Sequence, residues 1–137
     1  MNGTDFRLFY EDYARDKLAE YLNIKKSAIK HLSKINSMHD FDLEYLGIKY
    51  DVKTSNPVLE SDRHYCIWDF SLRKLHQGKR LGQKGECDFF LLVGMRNGLP
   101  SRIFLVPSKK SPTNHIRISL NGKSKYNQYL IFTCGKL

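Results

Sequence analysis

The sequence predicts an α/β fold built as a mixed central β-sheet flanked by helices, and three observations carry that expectation. Residues 6–22 repeat apolar side chains at helical spacing, the period changes to two from Phe41 onward, and the run DFFLLVGM at residues 88–95 is apolar on both faces. A helix followed by alternating strands is the pattern of a layered sandwich. At 137 residues the chain has the size of one domain, residues 1–137, and no Gly/Ser/Pro linker or internal repeat divides it. A chain of this length buries about two thirds of its unfolded surface, so neither disulfides nor a structural metal is required for stability.

In order along the chain, apolar residues at positions 6, 9, 10, 13, 14, 18, 21 and 22 predict an amphipathic helix over Phe6 to Leu22, with Thr4 or Asp5 as its cap. A shorter helix is expected over Ser27 to Leu32. Phe41, Leu43 and Tyr45 then alternate with Asp42 and Glu44, and Ile48, Tyr50 and Val52 alternate with Lys49, Asp51 and Lys53, which reads as a hairpin turning at Leu46-Gly47. Further strands are expected over Tyr65 to Leu72, Asp88 to Met95, Arg102 to Pro107 and His115 to Leu120. The segment from Tyr126 to Thr133 reads as strand or short helix. Trp68 and Phe70, alternating with Asp69, are expected in the core.

The formal charge of +9 at pH 7 points to a polyanionic partner. It is unevenly placed. Residues 1–62 carry 11 acids and 9 bases, a net −2, whereas residues 63–137 carry 3 acids and 14 bases, a net +11. The acids available for chemistry therefore concentrate in the first half, and the cations available for a phosphate backbone in the second. The densest basic stretch, LRKLHQGKRLGQK at residues 72–84, holds Arg73, Lys74, Lys79, Arg80 and Lys84 without an acid and is expected to be a loop that orders on a nucleic acid. Lys109, Lys110 and Arg117 are further candidates for backbone contacts.

No apolar run follows a basic start and no stretch of about 18 apolar residues occurs, so the expectation is a cytoplasmic protein without a membrane partner, nucleoid-associated or phage-encoded in a bacterial host. Cys66, Cys87 and Cys134 are widely spaced, with no C-x-x-C pair and no His at zinc-ligand spacing, and are expected to be reduced thiols. The five histidines show no ligand spacing; His39, just ahead of Asp42, is the one placed to touch a substrate.

The hairpin is where the sequence becomes chemically specific. A two-residue turn at Leu46-Gly47 pairs Tyr45 with Ile48, Glu44 with Lys49, Leu43 with Tyr50 and Asp42 with Asp51. Asp42 and Asp51 then share one side of the sheet with Cβ atoms about 4.5–5.5 Å apart, and Lys53 joins that side. Two opposed carboxylates are destabilising unless something positive lies between them. A divalent hard cation meets that need, because Mg²⁺ accepts one or two carboxylates and fills its remaining positions with water and substrate phosphate. Lys53 beside it would assist the attacking water or stabilise charge on phosphorus. With 14 acids and 15 lysines in 137 positions, chance alone supplies about 1.5 acid-x-Lys triplets. Asp51-Val52-Lys53 is the only one, and it falls on a strand in register with another acid.

The stretch HDFDLEYLGIKYDVKTS resembles the PD-(D/E)XK, or restriction-endonuclease-like, nuclease superfamily over roughly residues 6–107. Asp42 matches the first acid of that motif, Asp51 the second and Lys53 the lysine. Phe41 stands where the literal motif has Pro, and Asp51 where Glu is commoner. The resemblance implies a restriction-endonuclease-like core and a Glu from the preceding helix near the metal. Glu11 is the first choice for it, since Ala14 and Leu18 follow as in the family's helix, and Glu20 is the second. It also implies a metal-dependent endodeoxyribonuclease of homing-endonuclease, phage or junction-resolvase type, using Mg²⁺ with Mn²⁺ as substitute. Cutting both strands of DNA would take a homodimer or homotetramer. Two other readings stand beside it. One is a non-catalytic nucleic-acid binder using Gly82-Gln83-Lys84-Gly85 as a backbone clamp; the other is a nuclease fold with a disabled site.

Overall fold

The computed structural model describes residues 3–35, 41–59, 66–76, 79–82, 87–112, 114–121 and 123–134. Helix α1 covers Gly3–Leu22 and is followed by a 3-10 turn at Lys26–Ala28, strand β1 (Lys30–His31) and a single helical turn, α2 (Leu32–Ile35). The hairpin consists of β2 (Leu43–Tyr45) and β3 (Ile48–Ser55). After it come β4 (Pro57–Leu59), β5 (Cys66–Ser71), β6 (Arg73–His76), β7 (Lys79–Gly82), β8 (Phe89–Arg96), β9 (Leu99–Pro107), β10 (His115–Ser119) and β11 (Leu130–Thr133).

The main sheet has six strands in the order β1-β2-β3-β8-β9-β11, with β3 and β8 parallel and the other pairs antiparallel. It is the mixed central sheet expected of an α/β chain. Its central strand β8 has six consecutive buried residues, Phe90 to Met95, which is why both faces of that run are apolar in the sequence. On one face α1 lays down Ala14 and Leu18 against Leu43, Tyr50, Val52, Leu91, Val93 and Ile103. On the other face Phe90, Leu92, Phe104 and Val106 meet Trp68, Phe70, Ile116 and Ile118.

That second face corrects one expectation. The layer covering it is a three-stranded sheet, β10-β5-β4, so among the described residues the central sheet is flanked by a helix on one side and strands on the other. The parallel crossover from β3 to β8 runs through β4 and β5, whose inward positions Trp68 and Phe70 are fully buried as the alternation with Asp69 requires. The second layer lies close: a Cβ on Gly94 would stand 2.5 Å from Trp68 Cε2, and the Trp68 indole N–H donates to the Met95 carbonyl at 2.9 Å. Arg102, next to Gly94 in the β8–β9 ladder, lays its guanidinium 5.7 Å from the Trp68 ring.

Other local expectations are revised as well. The helix begins at Gly3, so Thr4 and Asp5 lie inside it and do not cap it. Its buried stripe is Glu11, Ala14, Leu18 and Ala19, while Phe6, Phe9 and Tyr21 are exposed. The stretch expected as a helix from Ser27 to Leu32 is a 3-10 turn followed by β1, because Lys30 and His31 pair with Glu44 and Leu43. The basic segment expected as a loop is the antiparallel hairpin β6–β7. Residues 126–133 divide between a 3-10 turn, Lys125–Tyr129, and β11. The three cysteines are free, with Cys87 buried and the other two exposed. Among the described residues no helix is long and apolar enough to cross a membrane.

Candidate active site

The β2–β3 register is the one the alternation requires: Leu43 pairs with Tyr50, Glu44 with Lys49 and Tyr45 with Ile48. Leu46 (φ +50°) and Gly47 (φ +82°) both occupy the left-handed region, the requirement of a tight two-residue turn that matches strand twist. Asp42 sits one residue before β2. Its amide donates to the Tyr50 carbonyl at 3.1 Å, its carbonyl accepts from Leu32 N–H at 2.8 Å, and its carboxylate Oδ2 accepts from Val52 N–H at 2.8 Å. Two of these bonds hold Asp42 against β3 and the third ties it to Leu32, and its carboxyl group lies next to that of Asp51.

Asp51 is buried in β3, and its Oδ2 lies 3.2 Å from Lys53 Nζ. The ammonium approaches off the hydrogen-bonding directions, so Oδ2 remains without a hydrogen-bond donor. Behind the pair lies Cys87, at the entry to β8. Burial pushes its thiol up to about 12, with the Asp51 charge adding to the effect, so it is a neutral wall of the site.

Glu11 reaches the same place from α1. It is buried, its Oε1 lies 2.9 Å from His31 Nε2, and its Oε2 lies 3.6 Å from Arg7 Nε. Its negative charge is felt at Asp42. Burial, then the Asp51 charge and hydrogen bond, then Glu11 raise the Asp42 carboxyl to about 8, against which the Val52 N–H works only partly. Glu20, the other helix carboxylate considered, is a surface residue paired with Lys17.

The structure therefore brings buried Glu11 and Asp51 and half-buried Asp42 and Lys53 into one acidic corner bounded by α1, β2 and β3. The sequence reading missed His31. No ligand spacing marks it; the usable signal was its place in an alternating Lys30-His31 pair ahead of the hairpin, where a third strand would turn it toward α1. Arg73, Lys74, Lys79 and Arg80 lie on the β6–β7 hairpin, away from the acids in sequence. Lys84 and His39 fall outside the described residues. Lys109 and Lys110 are exposed on the 3-10 turn after β9, and Arg117 pairs with Asp69, 3.5 Å away, in the outer layer.

A cation fits the corner chemically. Burial and the neighbouring Asp51 raise the Asp42 carboxyl, and the buried Asp51 Oδ2 has no hydrogen-bond donor; a metal ion bound to both carboxylates would offset their repulsion and satisfy that oxygen. Among the described residues no group of three or more His, Cys, Asp and Glu is arranged to hold a metal by itself. Two carboxylates are the number Mg²⁺ takes when substrate phosphate and water complete its shell.

Compared with known protein families, curated proteins and solved structures, the chain finds no match in any of the three.

Proposed function

We propose that this chain is a metal-dependent endodeoxyribonuclease with a restriction-endonuclease-like core and a PD-(D/E)XK-type site, hydrolysing phosphodiester bonds of DNA. The observation that carries the reading is the Asp42–Asp51 pair, a half-buried and a buried carboxyl group close enough on the hairpin to perturb each other, with Lys53 3.2 Å from Asp51. Such a pair is costly to the fold unless it is used.

In this reading Asp42 and Asp51 would hold Mg²⁺ or Mn²⁺, and the ion would supply Lewis-acid polarisation of the phosphate and activation of water. Lys53 Nζ donates to the incoming water or to a non-bridging phosphate oxygen and stabilises the negative charge that grows there. Glu11, held by His31 and Arg7, adds a fixed carboxylate at the helix side of the corner. The cations of the second half neutralise the backbone on either side of the cut. Each chain has one such corner, so cutting both strands takes two chains in symmetric association.

The test is cleavage of supercoiled, linear and four-way-junction DNA in Mg²⁺ or Mn²⁺, beside Asp51→Ala under the same conditions. The expected result is nicking or cutting by the wild type, and a variant that binds DNA equally but does not cut. Tight binding of DNA or RNA with no cleavage of any substrate in either metal would support the binding-module reading instead.

A further inference from the structure

The hairpin β6–β7 is a two-stranded ribbon belonging to neither larger sheet. Its four rungs are Arg73–Gly82, Lys74–Leu81, Leu75–Arg80 and His76–Lys79, so every rung holds one Lys or Arg, and no acid occurs between Ser71 and Gly85. Paired positions share a face and successive rungs alternate. Positions 73 and 80 therefore fall on one face, and 74 and 79 on the other. Leu75 and Leu81 are likewise divided between the faces, so the pattern provides no apolar face for packing on a core. A lone two-stranded hairpin is marginal in water, and four like charges weaken it further; a polyanion is the partner that would stabilise it.

The dimensions select the polyanion. Strands about 4.8 Å apart with their side chains fit a B-form major groove about 12 Å wide, which admits a two-stranded ribbon, and do not fit a minor groove about 6 Å wide. The major groove of A-form RNA is too narrow and deep for side chains to read. Four residues of strand span about 14 Å, or roughly four base pairs. The chain leaving the ribbon returns to the acidic corner at Cys87. Leu72 and Cys87 on either side of the hairpin are buried, and the Cys87 thiol meets the Asp51 backbone. From Gly82 to Cys87 the chain spans at most about 17 Å, half of a DNA turn of about 34 Å.

We propose that the β6–β7 ribbon enters the major groove of B-form duplex DNA within one helical turn of the phosphate presented to Asp42 and Asp51. Whichever face turns inward carries two cationic positions, and the opposite face carries the other two. The inference rests on DNA being the substrate, and it adds the groove and the element that reads it.

The test measures binding in Ca²⁺, without cleavage, to a 30-base-pair DNA duplex and to the RNA duplex of the same sequence. It uses the wild type, Arg73→Ala/Lys74→Ala/Lys79→Ala/Arg80→Ala, and the charge-preserving Arg73→Lys/Arg80→Lys. Expected are at least tenfold tighter binding to DNA than to RNA, and displacement by the major-groove ligand methyl green but not by the minor-groove ligand netropsin. The fourfold variant should keep its thermal midpoint and lose about two units from the slope of log K against log salt, two phosphates at about 0.9 each. The Arg→Lys variant should keep the slope and lose preference among DNA sequences, because lysine lacks the bidentate guanine contact. Equal affinity for RNA, displacement by netropsin, or an unchanged slope in the fourfold variant would overturn the ribbon assignment. These outcomes are independent of cutting: a protein that binds this way and never cleaves leaves the ribbon standing and removes the nuclease reading. One that cleaves with an unaltered fourfold variant does the reverse.

Discussion

His31 Nε2 lies 2.9 Å from Glu11 Oε1, and both side chains are buried. The other ring nitrogen of His31, Nδ1, is buried without a partner. A bare lone pair at Nδ1 costs less than a stranded N–H there, so the arrangement places a proton on Nε2, which donates to Glu11. His31 is thereby a positioning residue for the helix carboxylate. His31→Ala is expected to lower the thermal midpoint by roughly 3–8 °C, the equivalent of about 1–2 kcal/mol. His31→Gln, which restores a donor, should recover most of the loss. If Ala and Gln lower the midpoint equally, the hydrogen bond is not what matters.

The raised Asp42 carboxyl makes stability depend on pH in a definite direction. Its native value of about 8 lies above the ordinary 3.8, so between those two values the native state holds more protons than the unfolded state. Stability then falls as pH rises through that window, and is steady above and below it. Asp42→Asn keeps an acceptor for Val52 N–H and offers a donor to Asp51 without a charge. Thermal melts in EDTA should show the variant equal to wild type near pH 4 and increasingly more stable toward pH 8. A gap that does not widen with pH would refute the buried-pair account.

Lys53 and the two helix carboxylates separate function from scaffold. Lys53→Ala is expected to slow DNA cleavage by about 10²–10³-fold while changing DNA affinity little, since a single cation contributes modestly to a many-phosphate contact. Glu11→Gln should also slow cleavage. Glu20→Gln should not, because Glu20 lies at the surface with Lys17. Single-turnover rates at saturating enzyme test all three, and comparable losses in the Glu11 and Glu20 variants would remove Glu11 from the site.

Gly94→Ala would drive a methyl group into the Trp68 ring, whose Cε2 stands 2.5 Å from the added Cβ. Overpacking of this kind costs about 1–3 kcal/mol. Because Trp68 is the only tryptophan of the chain, its fluorescence should shift together with the loss of thermal stability. An unperturbed emission spectrum would mean that the two layers are not in contact there.

Much of the corner was legible in the sequence because a hairpin is a local object. Alternation and one Gly in the turn determine the Leu43–Tyr50 register; the ladder stops there, with the Asp42 N–H on the Tyr50 carbonyl, and the Asp42 carboxyl still lies next to that of Asp51. The helix was legible in extent but not in orientation. Aromatic residues at 6, 9 and 21 widen its apolar stripe beyond what the sheet covers, and only packing shows that Glu11, Ala14 and Leu18 face inward. What was hidden is non-local. His31 joins the site through a two-residue strand too short to have a period, and the strand expected around Trp68 and Phe70 belongs to a layer that covers the face opposite α1, an assignment to layers that alternation along one strand does not encode. The basic hairpin was hidden for a different reason: its rungs carry cations on both faces, so no hydrophobic alternation announces it.

The parallel pairing of β3 with β8 spans residues 56–88, and this separation bears on how the molecule assembles. A hairpin such as β2–β3 closes in about 1–10 μs, whereas a parallel contact must first meet the entropy of closing a long loop and forms late. Asp42 and Asp51 therefore meet early on the folding path, while their surroundings are still wet and their charges screened. The burial that raises the Asp42 carboxyl comes only when β8 docks and Phe90 pairs with Asp51. The ordering keeps the most costly electrostatic feature of the molecule out of its first folding steps.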